Sequence, residues 1–328
     1  MTVVAVGGGS GLPVVLSALR RHLPAGAHIT AVVTAADDGG SSGILRREYG
    51  VLPPGDIRNC LLALARVAPE VSAALQYRFD GEGVGPHPVG NLLLTALDLV
   101  AADEVTAVRL AAELLKVEDR ILPSTIDRVQ LVADLVDGRC VHGESEIPRS
   151  GAAIKRIRTE PADAAAAPGV LEALRQAEAI VMGPGSLYTS VLAVLTIPGV
   201  VDAISRSRAV RIFVCNAMTE PGETDGYSVL DHLHALTAHG LAPEAIDYVV
   251  VSTTPIPDKT RARYAAEGAT PVDAEFVPRA AIPGIVRADL LDPGPVVRHA
   301  PEKLGPLLRQ LTARGSHPMR TAVRACAS

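Results

Sequence analysis

The sequence predicts an α/β fold, three-layered (α/β/α) and Rossmann-like, with a mainly parallel sheet. Short apolar segments of strand character alternate with stretches of helical periodicity, as in parallel strands joined by crossover helices. The apolar segments have few polar residues, which is typical of strands buried on both faces. Glycine-rich polar segments follow them, where open parallel sheets bind ligands. Strands are predicted at residues 3–6, 29–34, 180–182, 211–215 and 248–252.

The first strand runs into the glycine-rich segment GGGSG at residues 7–11, and residues 12–23 then have helical spacing. A junction of strand, glycine loop and helix directs free backbone N–H groups at one point, which suits a phosphate. The strict dinucleotide fingerprint would need glycine in place of Leu12, and a P-loop would end in Gly-Lys-Ser/Thr. A tight turn that only closes the strand against the helix is the alternative.

The second strand is followed by a long polar segment, residues 34–60, whose composition indicates a binding surface. Asp37 and Asp38 stand where a doubly wound fold places an acid against a ribose, and they could also hold Mg²⁺ through its waters. The alternative for Asp38 is a loop cap that accepts N–H groups of residues 39–42. Asp56 is interpreted as a helix N-cap, and Asn59 is a candidate ligand contact.

An inserted helical and hairpin lobe is predicted at about residues 44–150 of a single domain that spans residues 1–313. It has helices over 56–67, 89–100 and 105–115, and a hairpin of residues 129–135 and 139–142. His87 and Asn91 precede and open the second of these helices and are candidate ligand contacts, although a lone histidine is more often only hydrogen-bonded. Residues 314–328 are predicted to be a disordered tail.

The third strand opens an uncharged window, residues 179–201, that has the length of a membrane span. Gly183, Pro184, Gly185 and Pro198 interrupt it, so a buried strand, a turn and a helix over 187–195 are predicted instead. Ser186 would be the helix N-cap, a phosphate contact, or both. Residues 216–224 form a further polar loop, after the fourth strand. The polar loops after the first four strands are therefore expected to meet at one crevice.

Composition excludes several classes of protein. A net charge of −5, three Phe, six Tyr and no Trp argue against nucleic acid as a partner. The four cysteines lack metal-site spacing and are interpreted as buried residues in a reducing compartment. The amino terminus has no secretory signal pattern, so a cytoplasmic location is expected. The chain has no H-E-x-x-H, G-x-S-x-G or kinase signature, and no catalytic residue is predicted.

Eight motifs together resemble one family. They are GGGSGL at residues 7–12, TAADDGGSSG at 34–43, LPPGDIRNC at 52–60, GNLLL at 90–94, LPST at 122–125, GPGSLYTS at 183–190, CNAMTEPGET at 215–224 and RH at 298–299. In this order they resemble the YvcK-type gluconeogenesis factor family, which has the CofD-like fold. The resemblance covers about residues 2–310. Ser10 stands where Thr is common in the family, but it retains the hydroxyl.

The resemblance implies a cytoplasmic bacterial protein that binds UDP-sugars, notably UDP-N-acetylglucosamine, without turnover. It also implies an influence on cell-wall synthesis, cell shape and growth on gluconeogenic carbon sources. Carried over to this sequence, the resemblance implies phosphate contacts at Gly8, Gly9, Ser10 and Gly11, with Arg298 as a further phosphate contact. The rest of the implied site is Asp37, Asp38, Gly185, Ser186, Leu187, Asn216 and Thr219.

Two functions are consistent with these residues. One is a regulatory sensor that binds a UDP-sugar and signals to an unidentified protein partner; it requires no cofactor. The other is a nucleotide-linked transferase, similar to the phospholactate transferases that share the fold, in which Asp37 and Asp38 hold Mg²⁺. A homodimer is expected from the relatives with the same fold. For Arg298, a structural salt bridge is the alternative to phosphate binding.

Overall fold

The computed structural model describes residues 1–80, 85–274 and 284–314. In these ranges the strands are β1 Thr2–Gly7, β2 His28–Val33, β3 Arg120–Pro123, β4 Gln130–Leu135, β5 Cys140–His142, β6 Ile154–Glu160, β7 Ala179–Met182, β8 Val210–Val214, β9 Tyr248–Ser252 and β10 Ile285–Ala288. The α-helices are α1 Gly11–His22, α2 Gly40–Tyr49, α3 Pro54–Leu64, α4 Pro69–Gln76, α5 Val89–Val100, α6 Glu104–Leu114, α7 Val170–Gln176, α8 Ala193–Leu195, α9 Val200–Arg206, α10 Val229–Ala238, α11 Asp258–Ala266 and α12 Pro301–Arg314.

The central sheet has seven strands in the order β10-β9-β8-β7-β1-β2-β3. Every neighbouring pair in it is parallel. From β1 the chain moves outward through β2 to β3, and it then returns to the other side of β1 to form β7. The pair β1 and β7 is therefore the topological switch point, where open α/β sheets bind ligands.

Alternate side chains of β1 face two separate hydrophobic cores, because successive residues of a strand point to opposite faces. Val3 and Ala5 pack in one core with α1, α3 and α12. Val4 and Val6 pack in the other with residues of α7, α9 and β4. Both faces of the sheet are thus covered by other elements, which explains why its strands are apolar. The predicted three-layer α/β fold is confirmed.

The predicted inserted elements are present. Helices α3, α5 and α6 lie within a few residues of their predicted bounds, and β4 and β5 form the predicted antiparallel hairpin. The sequence analysis missed β6, which completes a three-stranded sheet in the order β5-β4-β6. It also missed α4 and the two edge strands β3 and β10. The bounds of the predicted domain, residues 1–313, stay a prediction, and the predicted tail lies outside the described residues except for the backbone of Arg314.

Helix α2 lies within the segment that the sequence analysis predicted to be a binding loop. Its first turn contains glycine and serine, which have low helix propensity. Ser41, Ser42 and Gly43 are nevertheless buried. A Cβ at Gly43 would lie 1.8 Å from the carbonyl oxygen of Asp38. Tertiary packing, which requires small residues here, outweighs the local propensity.

The uncharged window after β7 contains a turn of π-helix, Leu187–Leu192, that continues into α8. Its residues are buried among the other helices. Within the described ranges, a single helix never combines the length and the apolar composition of a bilayer span. Leu187–Leu195 and Val200–Arg206 meet those criteria only as a pair, which is bent by 77°.

Candidate functional site

A cavity of about 420 Å³, which we call the crevice, opens at the switch point. It is lined by the loops after β1, β7 and β8, by the end of α11 and by residues 296–299. The predicted site residues that line it are Gly9, Ser10, Gly11, Gly185, Ser186, Asn216, Thr219 and Arg298. Three of the four predicted polar loops meet here, because carboxyl ends of parallel strands lie at one edge of the sheet. The loop after β2 does not line the crevice.

The amino terminus of α1 presents free backbone N–H groups to the crevice. Ser10 occupies the N-cap position, but its side chain makes no capping hydrogen bond, and the first turn contains no acidic residue. The Ser10 side chain is exposed. A helix start whose own first turn has neither a capping side chain nor an acidic residue, with an exposed hydroxyl beside it, is suited to bind an anion.

Three loops of the crevice wall are held in contact with one another. A Cβ at Gly11 would lie 2.0 Å from the carbonyl oxygen of Pro184, so only glycine permits this approach. The Gly185 N–H donates to Asn216 Oδ1 at 3.0 Å, and Asn216 Nδ2 donates to Glu220 Oε1 at 3.2 Å. Thr219 is buried, and its Oγ1 accepts the Thr270 N–H at 2.8 Å. The wall is therefore formed before any ligand binds.

The segment before α12 brings a cation and an unpaired ring nitrogen to the crevice. The Arg298 side chain is 66% exposed, and its Nε lies 3.7 Å from Asp292 Oδ2, which agrees with the salt-bridge alternative. His299 is buried, and its Nε2 has no hydrogen-bond partner among the described residues. Burial lowers the pKa of His299 to about 4, so the ring is neutral at pH 7. A buried polar atom without a partner is expected to have one in a complex.

Several residues of the crevice were not predicted as ligand contacts. Glu220 and His299 lie in motifs that supported the resemblance, so the sequence contained a signal for them. Tyr264 and Glu267, from α11 and the residue after it, also line the cavity. No pattern in the sequence indicated these two, since nothing around them resembles a strand-end loop.

Behind the glycine loop lies a group of carboxylates that we call the acidic cluster: Asp37, Asp38, Asp56 and Glu144. Asp56 Oδ2 accepts the Gly9 N–H at 2.7 Å. Burial raises the pKa of Asp56 to about 6. Burial first, and then the charges of Asp37 and Asp38, raise the pKa of Glu144 to about 8. Asp56 is not an N-cap, as the sequence analysis proposed, because Pro53 holds that position of α3.

The hydrogen bonds of Asp37 and Asp38 are made within the protein. Asp37 Oδ1 accepts the Gly39 N–H at 2.9 Å. Asp38 accepts the N–H groups of Glu144 and Ser145 at 3.0 and 2.9 Å, instead of capping residues 39–42. No group of three or more His, Cys, Asp or Glu side chains in the described ranges is arranged to hold a metal ion. Binding of Mg²⁺ by Asp37 and Asp38 stays a prediction.

The remaining predicted residues lie outside the crevice. His87, Asn91 and Asn59 belong to a hydrogen-bond network between α2, α3 and α5. Ser41 Oγ lies 2.8 Å from His87 Nδ1 and accepts from Asn91 Nδ2 at 2.9 Å. Arg58 donates to Asn91 Oδ1 at 2.6 Å and to Asn59 Oδ1 at 2.8 Å.

Gly8 and Leu187 serve the packing around the crevice. A Cβ at Gly8 would lie 2.5 Å from Thr34 Cγ2 and 2.7 Å from Asp56 Oδ2, so this position brings the glycine loop against the acidic cluster. The Leu187 side chain is fully buried in the core beneath the loop after β7. Neither residue lines the cavity.

Comparison with known proteins gives consistent matches over most of the chain. Residues 3–290 match the family model described as 2-phospho-L-lactate transferase CofD. A gluconeogenesis factor of Halalkalibacterium halodurans is 44% identical over 82% of this chain and 83% of its own length. A gluconeogenesis factor of Bacillus subtilis is 40% identical over 94% and 97%. The crystal structure of a UPF0052-family protein from Bacillus halodurans superposes with a TM-score of 0.88 at 41% identity, covering 93% of this chain and 97% of that one.

Proposed function

Because the chain belongs to the gluconeogenesis factor family, within the wider family of CofD proteins, we propose that its crevice binds a nucleotide sugar, namely UDP-N-acetylglucosamine. The observation that carries this proposal is the meeting of an uncapped helix start and an exposed arginine in one cavity at the switch point of the sheet. The cavity volume, about 420 Å³, is within the range of small-molecule sites.

The diphosphate would be bound at the amino terminus of α1. The backbone N–H groups of Ser10 and Gly11 and the Ser10 hydroxyl supply donors, and the positive end of the helix dipole favours negative charge. The Arg298 guanidinium lines the same cavity and can donate two parallel hydrogen bonds to a phosphate. The glycines allow the backbone to approach the phosphates closely.

The two ends of the ligand would contact side chains farther along the wall. Asn216 and Thr219 lie in the loop after β8, and Tyr264 and His299 bring an aromatic ring and a neutral imidazole to the other part of the cavity. These groups suit the amides and hydroxyls of a nucleobase and an N-acetyl sugar, which need partners when they are buried.

We propose that the bound state acts as a signal to a protein partner and so affects cell-wall synthesis, cell shape and growth on gluconeogenic carbon sources. Two relatives carry the name gluconeogenesis factor, and this supports the last of these roles. No cofactor is required for such a sensor. A homodimer and a cytoplasmic location belong to the same proposal.

A thermal-shift panel tests this function. The purified protein is heated with UDP-N-acetylglucosamine, UDP-glucose, GDP, GTP and NAD, each with and without Mg²⁺. A ligand at about 100 times its Kd stabilises the folded state by roughly 2.7 kcal/mol. A shift confined to the UDP-sugars and independent of Mg²⁺ is expected. The absence of a shift with every UDP-sugar would overturn the proposal.

The acidic cluster favours a second candidate function, a Mg²⁺-dependent transferase. Asp56 contacts the glycine loop directly, and the matching family model is described by a transferase activity. Charge neutralisation by Mg²⁺ at Asp37 and Asp38 would assist transfer of a phosphoryl-linked group. Metal-dependent release of nucleotide from a donor, abolished in Asp38→Asn, would support this candidate; saturable binding without turnover over hours would exclude it.

A further inference from the structure

A second cavity, of about 520 Å³, is lined by Asp38 and by three arginines, and we call it the arginine pocket. Helix α2 contributes Arg46 and Arg47, and the segment before β4 contributes Arg128. The loop after β5 contributes Gly143, Ser145 and Glu146, and the strands β4 and β5 contribute Gln130 and His142. None of these residues lines the crevice. The volume is within the range of small-molecule sites.

Arg46 and Arg128 are held in place by different contacts, and Arg47 is exposed. Arg46 is partly buried and donates through Nη2 to the carbonyl oxygen of Val129. Arg128 lies against Gly50, the left-handed residue (φ 69°) that ends α2; a Cβ there would lie 2.5 Å from Arg128 Nη2. Burial lowers the pKa of Arg46, the charges of Asp38 and Asp37 raise it in part, and the nearby charge of Arg128 lowers it. Arg46 and Arg128 therefore stand close enough to repel one another, while two carboxylates offset part of the charge of Arg46.

Two carboxylates also line the pocket, but both have partners. Asp38 accepts the two N–H groups described above. Glu146 forms an ion pair with Arg149, from Oε1 to Nη1 at 2.8 Å. By contrast, no carboxylate of the described ranges lies within ion-pair distance of Arg47 or Arg128. Unpaired guanidinium groups that converge on one cavity provide several donors in the geometry that phosphate accepts.

We propose that the arginine pocket is a second ligand site, separate from the crevice, and that it binds a phosphomonoester. The phosphate group would accept hydrogen bonds from Arg47 and Arg128, with Arg46 supplying further positive charge. Because the cavity is much larger than a phosphate ion, the phosphate forms one end of a small phosphorylated metabolite. Asp38 lines the pocket and belongs to the acidic cluster, whose Asp56 accepts the Gly9 N–H of the glycine loop.

Calorimetric titration at low ionic strength tests the proposal, with glycerol 3-phosphate, inorganic phosphate and glycerol as probes. The variant Arg47→Gln/Arg128→Gln removes two exposed cations of the pocket, and Arg109→Gln/Arg206→Gln removes two exposed cations that do not line it. Glycerol 3-phosphate is expected to bind the wild type, to bind the pocket variant about tenfold more weakly, and to bind the control variant with unchanged affinity. Glycerol is expected not to bind.

Three results would overturn the proposal: no saturable binding of either phosphate probe, equal affinity for the pocket and control variants, or a loss confined to Arg298→Gln, which would place the anion in the crevice. Equal affinity for inorganic phosphate and glycerol 3-phosphate would mean that the site binds free phosphate and not a metabolite. UDP-N-acetylglucosamine is titrated into the same proteins. Its failure to bind the wild type would overturn the proposed function alone, since the phosphate probes report on the pocket directly.

Discussion

The crevice and the acidic cluster share Gly9, and they use polar residues in opposite ways. Gly9 lines the crevice, while its N–H donates to Asp56 of the cluster. In the crevice, the Ser10 side chain makes no capping hydrogen bond, and His299 Nε2 has no partner among the described residues. In the cluster, Asp37, Asp38 and Asp56 are partly buried and accept backbone N–H groups. Polar loops at strand ends therefore either present hydrogen-bonding groups to a cavity or use them to bind the protein's own backbone.

Substitution of Gly11, where two crevice loops touch, is expected to have the largest effect on stability and binding. In Gly11→Ala, the new Cβ would lie 2.0 Å from the Pro184 carbonyl oxygen, so the loops must separate. We expect a loss of roughly 3 kcal/mol in the free energy of unfolding, together with loss of UDP-sugar binding. Denaturant unfolding measures the first effect and calorimetry the second.

Gly294→Ala is the matched control, because its Cβ would meet no atom within 4 Å. We expect its stability to change by less than about 0.5 kcal/mol. If the two alanine variants were equally stable, the close contact between the loops would not be a requirement of the fold.

Substitution of Arg298, an exposed cation of the crevice, should weaken ligand binding without changing stability. Arg298→Ala is expected to weaken UDP-sugar binding about 30-fold, which is roughly 2 kcal/mol, because a charge-assisted phosphate contact is lost. The melting temperature should stay unchanged, since the side chain is 66% exposed and its one ion pair is long. Arg206→Ala, at an 80% exposed side chain, is the control. Unchanged affinity in Arg298→Ala would remove this residue from the site.

Substitution of Glu144, a carboxylate of the acidic cluster, should change stability in a pH-dependent way and leave ligand binding unchanged. The folded-state pKa of Glu144 is about 8, above its usual 4.5, so the folded protein binds more protons than the unfolded chain between these values. The free energy of unfolding must therefore fall as pH rises from about 4.5 to 8. We expect Glu144→Gln to be about 1.5 kcal/mol more stable than the wild type at pH 8 and equal to it near pH 4.5.

Melting curves from pH 4.5 to 8 measure this difference, and Glu146→Gln, at an exposed paired glutamate, serves as the control. UDP-sugar affinity should be the same in both variants. A Glu144→Gln protein with the pH dependence of the wild type would contradict the assignment, and one that lost ligand binding would place the cluster in the site.

The smallest effect is expected at His299, whose ring nitrogen has no partner in the described ranges. His299→Phe keeps a ring of similar size and removes the nitrogen. We expect ligand affinity to fall about fivefold, roughly 1 kcal/mol, with stability unchanged or slightly higher. The exposed residue His234 provides the control, His234→Phe. Unchanged affinity in His299→Phe would leave the buried nitrogen without a role in binding.

The central strands were predictable because their apolar segments are short, continuous and bounded by glycine-rich loops. The edge strands β3 and β10 were missed, since Arg120–Pro123 and Ile285–Ala288 are four residues each and carry an arginine. Helix α2 was missed because its glycines and serines have low helix propensity. In each case, pairing or packing with distant residues decides the structure, and a local pattern does not contain that information.

The sequence alone determined the fold class, the family and the strand-end loops, because hydrophobic periodicity and glycine position are local properties of the chain. Only the tertiary structure decided which polar residues face the crevice. Asp37 and Asp38 resemble ligand contacts in the sequence, yet their oxygens accept N–H groups of Gly39, Glu144 and Ser145. A carboxylate binds whichever donors the fold brings to it, and those donors lie up to 107 residues away along the chain.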